Sequence, residues 1–68
     1  MEVAIAKVIK TKEEIDDAKG WCRRCIEKRL NMDSLYGDLD KIKYSVTRYI
    51  YTRPNASLGF KVEARLEL

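Results

Sequence analysis

The part of this sequence that most resembles a chemical motif is Cys22-Arg23-Arg24-Cys25, in which two thiols stand three residues apart. Thioredoxin-type redox pairs share this spacing, but they place the attacking cysteine at a helix N-terminus, where the helix dipole lowers its pKa. A helix that begins at Thr11 would instead hold both thiols about three turns inside, on its apolar stripe. Zinc needs four ligands, and the chain has no histidine and no third cysteine. We expect two core cysteines, with an intersubunit metal and a redox role as the alternatives.

Other residue types that carry catalysis are scarce. Histidine, the commonest general acid–base at neutral pH, is absent. The carboxylates of Glu13, Asp16 and Asp17 fall on a helix face that we expect to be exposed, where nothing would raise their pKa. The three glycines are isolated, so no phosphate-binding loop is predicted. We therefore predict no catalytic residue, no metal ligand, no cofactor and no enzymatic activity.

Aromatic and cationic residues near the C-terminus form the best candidate for a binding surface. Alternation places tyrosines and cations of the last two strands on one sheet face, which is expected to point away from the helix. The candidate binding residues are Lys43, Tyr49, Tyr51, Arg53, Lys61 and Arg65.

This surface has three interpretations. The side chains could be ordinary cross-strand pairs. Tyrosine and arginine are also enriched at protein–protein contacts. A single-stranded nucleic acid could stack its bases on the rings and pair its phosphates with the cations. Glu63 and Glu67 share the face and would repel phosphate, which places the nucleic-acid interpretation behind the other two.

A helix over residues 11–30 must position the cysteines. Thr11-Lys12-Glu13-Glu14 matches a capping box, and acidic residues follow where the positive end of the helix dipole favours them. Trp21 lies at the margin of the apolar stripe, where we expect it to close the core against solvent. Gly20 interrupts the helix and suggests a close helix–sheet contact or a bend. The apolar stripe consists of Ile15, Ala18, Cys22, Cys25, Ile26 and Leu30.

Three segments have the pattern of strands. Residues 2–9 carry apolar side chains on both faces, with the small Ala4 and Ala6 on one of them, as if each face were covered. Residues 42–53 and 60–68 alternate with period two on either side of a Pro/Asn/Gly turn, which predicts an antiparallel hairpin.

These elements predict one α+β domain, 1–68, with the order β-α-β-β. We expect a three-stranded antiparallel sheet with the helix packed on one face and, if the crossover is right-handed, the C-terminal strand in the centre. A connector over 31–41 joins helix and hairpin, and Asp33 could cap a single turn that ends at Gly37.

Length and charge limit the function further. A core of this size supplies only about 3–5 kcal/mol, so we expect a homodimer or larger assembly. Lys and Arg number 14 against 11 Asp and Glu, and their interleaving indicates a mixed surface. No signal peptide or membrane-spanning segment is apparent, and we expect a cytoplasmic location with reduced cysteines.

The leading hypothesis is a small non-enzymatic binding or regulatory protein that acts through protein–protein contacts on the outer sheet face. The alternatives are a single-stranded nucleic-acid-binding module that uses the same residues and a small-ligand carrier formed at an oligomer interface.

In length and in β-α-β-β order the chain resembles the dodecins, small flavin-binding proteins that assemble into hollow dodecamers. That family stacks flavin on a tryptophan of the second strand, whereas the single tryptophan here is Trp21, in the helix. The resemblance therefore implies a topology only, and it transfers no flavin site.

Overall fold

The computed structural model describes residues 1–50 and 58–68, with side chains for 1–48 and 59–68. Three strands and one long helix follow the predicted order. They are β1 (Glu2–Ile9), α1 (Ile15–Met32), β2 (Lys43–Ile50) and β3 (Leu58–Glu67), and single 3-10 turns occur at Lys12–Glu14 and Leu39–Lys41. β3 begins two residues before the predicted position, and the predicted residues 51–53 of the second strand lie outside the described residues.

The sheet is antiparallel, with the strand order β1-β3-β2. Ala64 of β3 lies between Ile5 of β1 and Tyr44 of β2, so these three residues share the face that meets the helix. The α+β fold and the central position of the C-terminal strand are both confirmed. We call the helix-facing side of the sheet the inner face.

The core lies between α1 and the inner face. On the helix, Ala18, Cys22, Ile26 and Leu30 are buried, and their spacing of four residues keeps them on one side. The core cluster also contains residues of β1 and β3 and the residue that precedes β2. They are Ile9, Ile42, Val62, Ala64 and Leu66. Within the described residues, no helix is both long and apolar enough to cross a membrane.

The start of α1 follows the predicted capping box with one difference. The Glu14 carboxylate accepts hydrogen bonds from the backbone N–H groups of Thr11 (3.1 Å) and Lys10 (3.0 Å), as a residue that reaches back in a capping box does. Both hydrogen bonds lower the pKa of Glu14, and the bond from Thr11 has the larger effect. The chain between them forms a 3-10 turn, so the α-helix itself begins at Ile15 and not at Thr11.

The connector differs from the prediction in its capping residue. Asp33 does not begin a turn there; it ends α1, where its carboxylate pairs with Arg29 at 3.0 Å. The single turn lies further on, at Leu39–Lys41, and begins at Asp38, whose side chain accepts a hydrogen bond from the Asp40 N–H at 3.0 Å. Asp38 thus satisfies the N–H of the second residue of that turn, as an N-cap residue should.

The helix covers β1 and β3 and leaves β2 largely uncovered. A helix with its side chains is about 10–12 Å across, and neighbouring strands are about 4.8 Å apart, so a single helix shields about two strands. As a result Tyr44 and Val46, on the inner face of β2, remain 36% and 39% exposed. β2 is therefore both an edge strand and the strand whose inner face is open.

Gly20 lies inside α1 without a structural requirement for glycine. A Cβ built there would meet only Arg24 Nη1 at 3.5 Å, an ordinary contact, so the close helix–sheet approach expected from the sequence is absent at this position. We predict that Gly20→Ala raises the free energy of unfolding by about 0.5–1 kcal/mol and the melting temperature by several degrees. Thermal unfolding followed by circular dichroism measures the change.

Gly37→Ala is the matched control, because the same methyl group has no room there. Its Cβ would lie 2.7 Å from Leu68 Cδ2 and 2.8 Å from Leu66 Cδ2, and Leu66 is buried. We expect this substitution to destabilise the fold by about 1–3 kcal/mol. Equal effects of the two substitutions would contradict at least one of the two predictions.

Candidate interaction surface

The face of the sheet that points away from α1 has no element packed on it among the described residues. We call it the outer face. In its rows, Ala4 and Lys43 flank Arg65, Ala6 and Ser45 flank Glu63, and Val8 and Thr47 flank Lys61. The period-two alternation of the strands thus brings side chains from all three strands onto one open surface.

Charged side chains on the outer face are linked to one another. The Arg65 Nε donates to a Glu63 oxygen at 2.6 Å, and Glu63 also pairs with Lys61 at 3.7 Å. Arg65 reaches across to Glu2 of β1 at 3.9 Å. The hydrogen bond with Glu63 is the first cause of a raised pKa of Arg65, so this guanidinium stays charged. Glu63 is therefore the centre of a chain of ion pairs that crosses two strands.

Of the six predicted binding residues, Lys43, Lys61 and Arg65 have their side chains on the outer face, as expected. Tyr49 pairs with Gly59 in the register and so belongs to the same face. Tyr51 and Arg53 lie outside the described residues. The structure thus places four of the six on one face and brings two of them, Lys61 and Arg65, into contact with the same carboxylate.

The apolar part of the outer face comes from β1. Ala4, Ala6 and Val8 are exposed there, and Val8 keeps 40% of its surface in water. Alternating small apolar side chains at an open sheet surface form a low, flat strip on which another surface can pack closely. The apolar side chains on both faces of β1 predict a strand that is covered on both sides, and over residues 1–50 and 58–68 the cover is α1 on the inner face alone.

Sequence reasoning did not identify the open inner side of β2. Tyr44 and Val46 lie on the face that meets the helix, as the period-two alternation of residues 42–53 predicts, but α1 does not extend over them. A comparison of helix width with sheet width could have found this, because one helix cannot cover three strands. On the helix side, the Lys19 ammonium lies 5.9 Å from the centre of the Tyr44 ring.

The two cysteines occupy different environments. Cys22 is completely buried, as expected, and burial raises the pKa of its thiol, with a smaller contribution from Cys25. Cys25 is only half-buried, so the prediction that both thiols lie inside the core is wrong for this residue. It lies at the edge of the apolar stripe, beside Val3 and Ile5 of β1, which is an edge strand of the described sheet.

The cysteine environments predict a difference in reactivity. Because the thiolate is the nucleophile and the pKa of Cys22 is raised, Cys22 should not react with a thiol reagent near neutral pH, while Cys25 reacts slowly. Denaturant should make both thiols react quickly. Labelling followed by mass spectrometry measures this, with the denatured protein as control, and fast labelling of Cys22 in the native protein would contradict the burial.

Trp21 packs against the core cluster at its margin and is half-buried, as the predicted lid would be. The Lys7 ammonium lies 4.9 Å from the centre of the indole ring, a distance suited to a cation–π contact. This pair lies over β1, on the opposite flank of α1 from Lys19 and Tyr44.

No protein-family model, curated protein or solved structure matches the chain.

Proposed function

We propose that this chain is a small non-enzymatic binding protein that acts through protein–protein contacts on its outer face, and that a second copy of the chain is one occupant of that face. The observation that carries the proposal is a sheet face that no described element covers, and whose described strand residues combine an apolar strip with three acids and three bases. The acidic members are Glu2, Glu63 and Glu67, and the basic members are Lys43, Lys61 and Arg65.

This balance of charge favours a protein partner over a nucleic acid. A surface that binds phosphates carries an excess of positive charge. Here Lys61 and Arg65 already pair with Glu63, so a phosphate would have to displace a carboxylate from each of them. A protein surface with both charges can complement such a face, as can a second copy of the same face.

Self-association is favoured by symmetry. A two-fold interface places the same patch on both subunits, so each cation on one copy can meet an acid on the other. Two such sheets would stack about 10 Å apart, a spacing that the small Ala4 and Ala6 permit. The thin core of a chain this short supports the same view, because burial of the outer face would add to its stability.

Edge-to-edge pairing of two sheets is disfavoured by two inner-face cations. Lys7 on β1 and Arg48 on β2 point to the helix side of the two edge strands. Inward-pointing charges on edge strands are a common device against pairing with another sheet. The outer face therefore remains the favoured contact. We also place the protein in the cytoplasm, because its two free cysteines suit a reducing compartment.

Light scattering on the purified protein tests the proposal. We expect a mass of at least two chains, which falls toward one chain on dilution. A labelled oligothymidine titrated at low and at moderate salt serves as the second measurement, and we expect no binding. A monomer at every concentration, together with oligothymidine binding that weakens steeply with salt, would replace the proposal with the nucleic-acid interpretation.

A further inference from the structure

We propose a second site, separate from the outer face: the open flank of β2 binds an acidic, extended peptide that adds to the sheet as a fourth strand. We define the β2 flank as the inner-face residues Tyr44, Val46 and Arg48 together with Lys19 of α1. The proposal combines an uncovered apolar surface, an open strand edge and a set of cations, each of which is described above.

The apolar part of the β2 flank is a shallow step between helix and edge. Val46 and Tyr44 lie beside the buried Val62 and Ala64 of β3, but neither is covered by α1. Their exposed surface is continuous with the core and ends at the open side of β2. A strand added at this edge would cover them with every second side chain, because residues alternate between the two faces.

Three cations lie around this step, and one acid, Asp40, pairs with one of them. Lys19 lies against the Tyr44 ring, and Arg48 follows Val46 on the same face of β2. Arg23 stands at the other end, held by Asp40 at 3.2 Å and by the Leu39 carbonyl at 3.3 Å. Over residues 1–48 and 59–68, the ion pairs use neither Lys19 nor Arg48. A partner with acidic side chains complements this arrangement.

The same charges select against a second copy of the chain. Pairing β2 with β2 would bring two sets of Lys19 and Arg48 onto one face of a continuous sheet, where like charges repel. An acidic strand gains ion pairs from these cations and also gains the main-chain hydrogen bonds that an edge strand offers. The inner-face cation Arg48 thus blocks self-pairing and favours an acidic strand at the same edge.

The test uses a short labelled peptide in which every second residue is threonine. The residues between the threonines are, in order, Glu, Val, Val and Glu. As a strand it presents two valines to Tyr44 and Val46 and one glutamate at each end. Fluorescence anisotropy should show saturable binding. The same peptide with lysine in place of glutamate should bind at least about tenfold more weakly, because attraction at two positions becomes repulsion.

Variants assign the binding to the β2 flank. Lys19→Glu combined with Arg48→Glu should weaken binding of the acidic peptide at least about tenfold. The control, Arg24→Glu combined with Lys28→Glu, makes the same change in net charge on the exposed side of α1 and should stay within about twofold. Equal weakening by both pairs would overturn the proposal, since only net charge would then matter.

Hydrogen exchange supplies the readout for strand addition. The acidic peptide should protect backbone amides of residues 43–48, while oligothymidine should neither protect them nor compete. Protection elsewhere, or competition by oligothymidine that depends on Lys19 and Arg48, would overturn the peptide as the occupant. Light scattering of the Lys19→Glu, Arg48→Glu variant should still report the wild-type mass, so failure here is distinguishable from failure of outer-face association.

Discussion

Replacing Ile26 by alanine is expected to unfold most of the protein at room temperature. Ile26 is completely buried at the centre of the stripe on α1, in the core cluster between the helix and the inner face. Removing a large buried side chain costs about 2–5 kcal/mol, from the lost transfer free energy and the cavity that remains. A core of this size supplies only about 3–5 kcal/mol in total. Loss of the folded signal in circular dichroism, and of a cooperative urea transition, would be the result.

Val46→Ala is the control for this prediction. It too shortens an aliphatic side chain, in this case one on the inner face of β2. Because Val46 is 39% exposed, the substitution should lower the free energy of unfolding by about 1 kcal/mol or less. Urea unfolding at two protein concentrations distinguishes the contribution of association, because a midpoint that rises with concentration shows that binding of a second copy stabilises the fold. A stable, cooperative Ile26→Ala variant would show that the helix–sheet layer is not the main source of stability.

The fold could be predicted because its patterns are strong and agree with one another. Residues 60–68 alternate over nine positions, and in the structure Val62, Ala64 and Leu66 are buried while Arg65 and Glu67 are exposed. Those alternating positions admit one orientation of β3, since a slip of one residue would bury the charges. Together with the helical period of α1, the pattern leaves few topologies for one helix and three strands.

The finer features depended on the widths of the helix and the sheet and on where each element ends, and periodicity describes neither. Cys25 satisfies the helical period of the stripe, yet it is only half-buried, because it lies at the margin of the stripe beside the edge strand β1. Tyr44 and Val46 satisfy the strand period, yet they are open because the helix stops short of β2. The turn capped by Asp38, where Asp33 had been expected, is a choice between similar residues that local hydrogen bonds decide.

The sequence predicted which face of the sheet the candidate binding residues occupy, but not the residues with which they pair. Arg65 and Lys61 were expected to be available beside the tyrosines, and both pair with Glu63. Lys61 and Arg65 each lie two residues from Glu63 along β3, which made such pairs foreseeable, since residues two apart on one strand share a face. What the sequence does not indicate is that Glu2 of β1 joins the same group, because that requires the register of β1 against β3.

Ala6→Arg is expected to convert an assembled protein into a monomer. Ala6 is exposed at the middle of the outer face, opposite Glu63 in the register. The new guanidinium would find a cross-strand partner in Glu63, so the monomer should remain folded. Between two stacked sheets, however, its bulk would hold the faces apart, and its pairing would remove Glu63 from contacts across the interface. Because a two-fold contact contains the substitution twice, we expect the dissociation constant to rise at least about a hundredfold.

Asn31→Arg is the matched control, because it adds the same charge at an exposed position on α1 and should leave the mass unchanged. Light scattering over a dilution series measures both variants, and circular dichroism shows that each is folded. If Ala6→Arg keeps the wild-type mass, the strip formed by Ala4, Ala6 and Val8 lies outside the contact and the copies must meet elsewhere. If it is monomeric, folded and less stable than the wild type, part of the stability of this short chain comes from the second copy, as its small core requires.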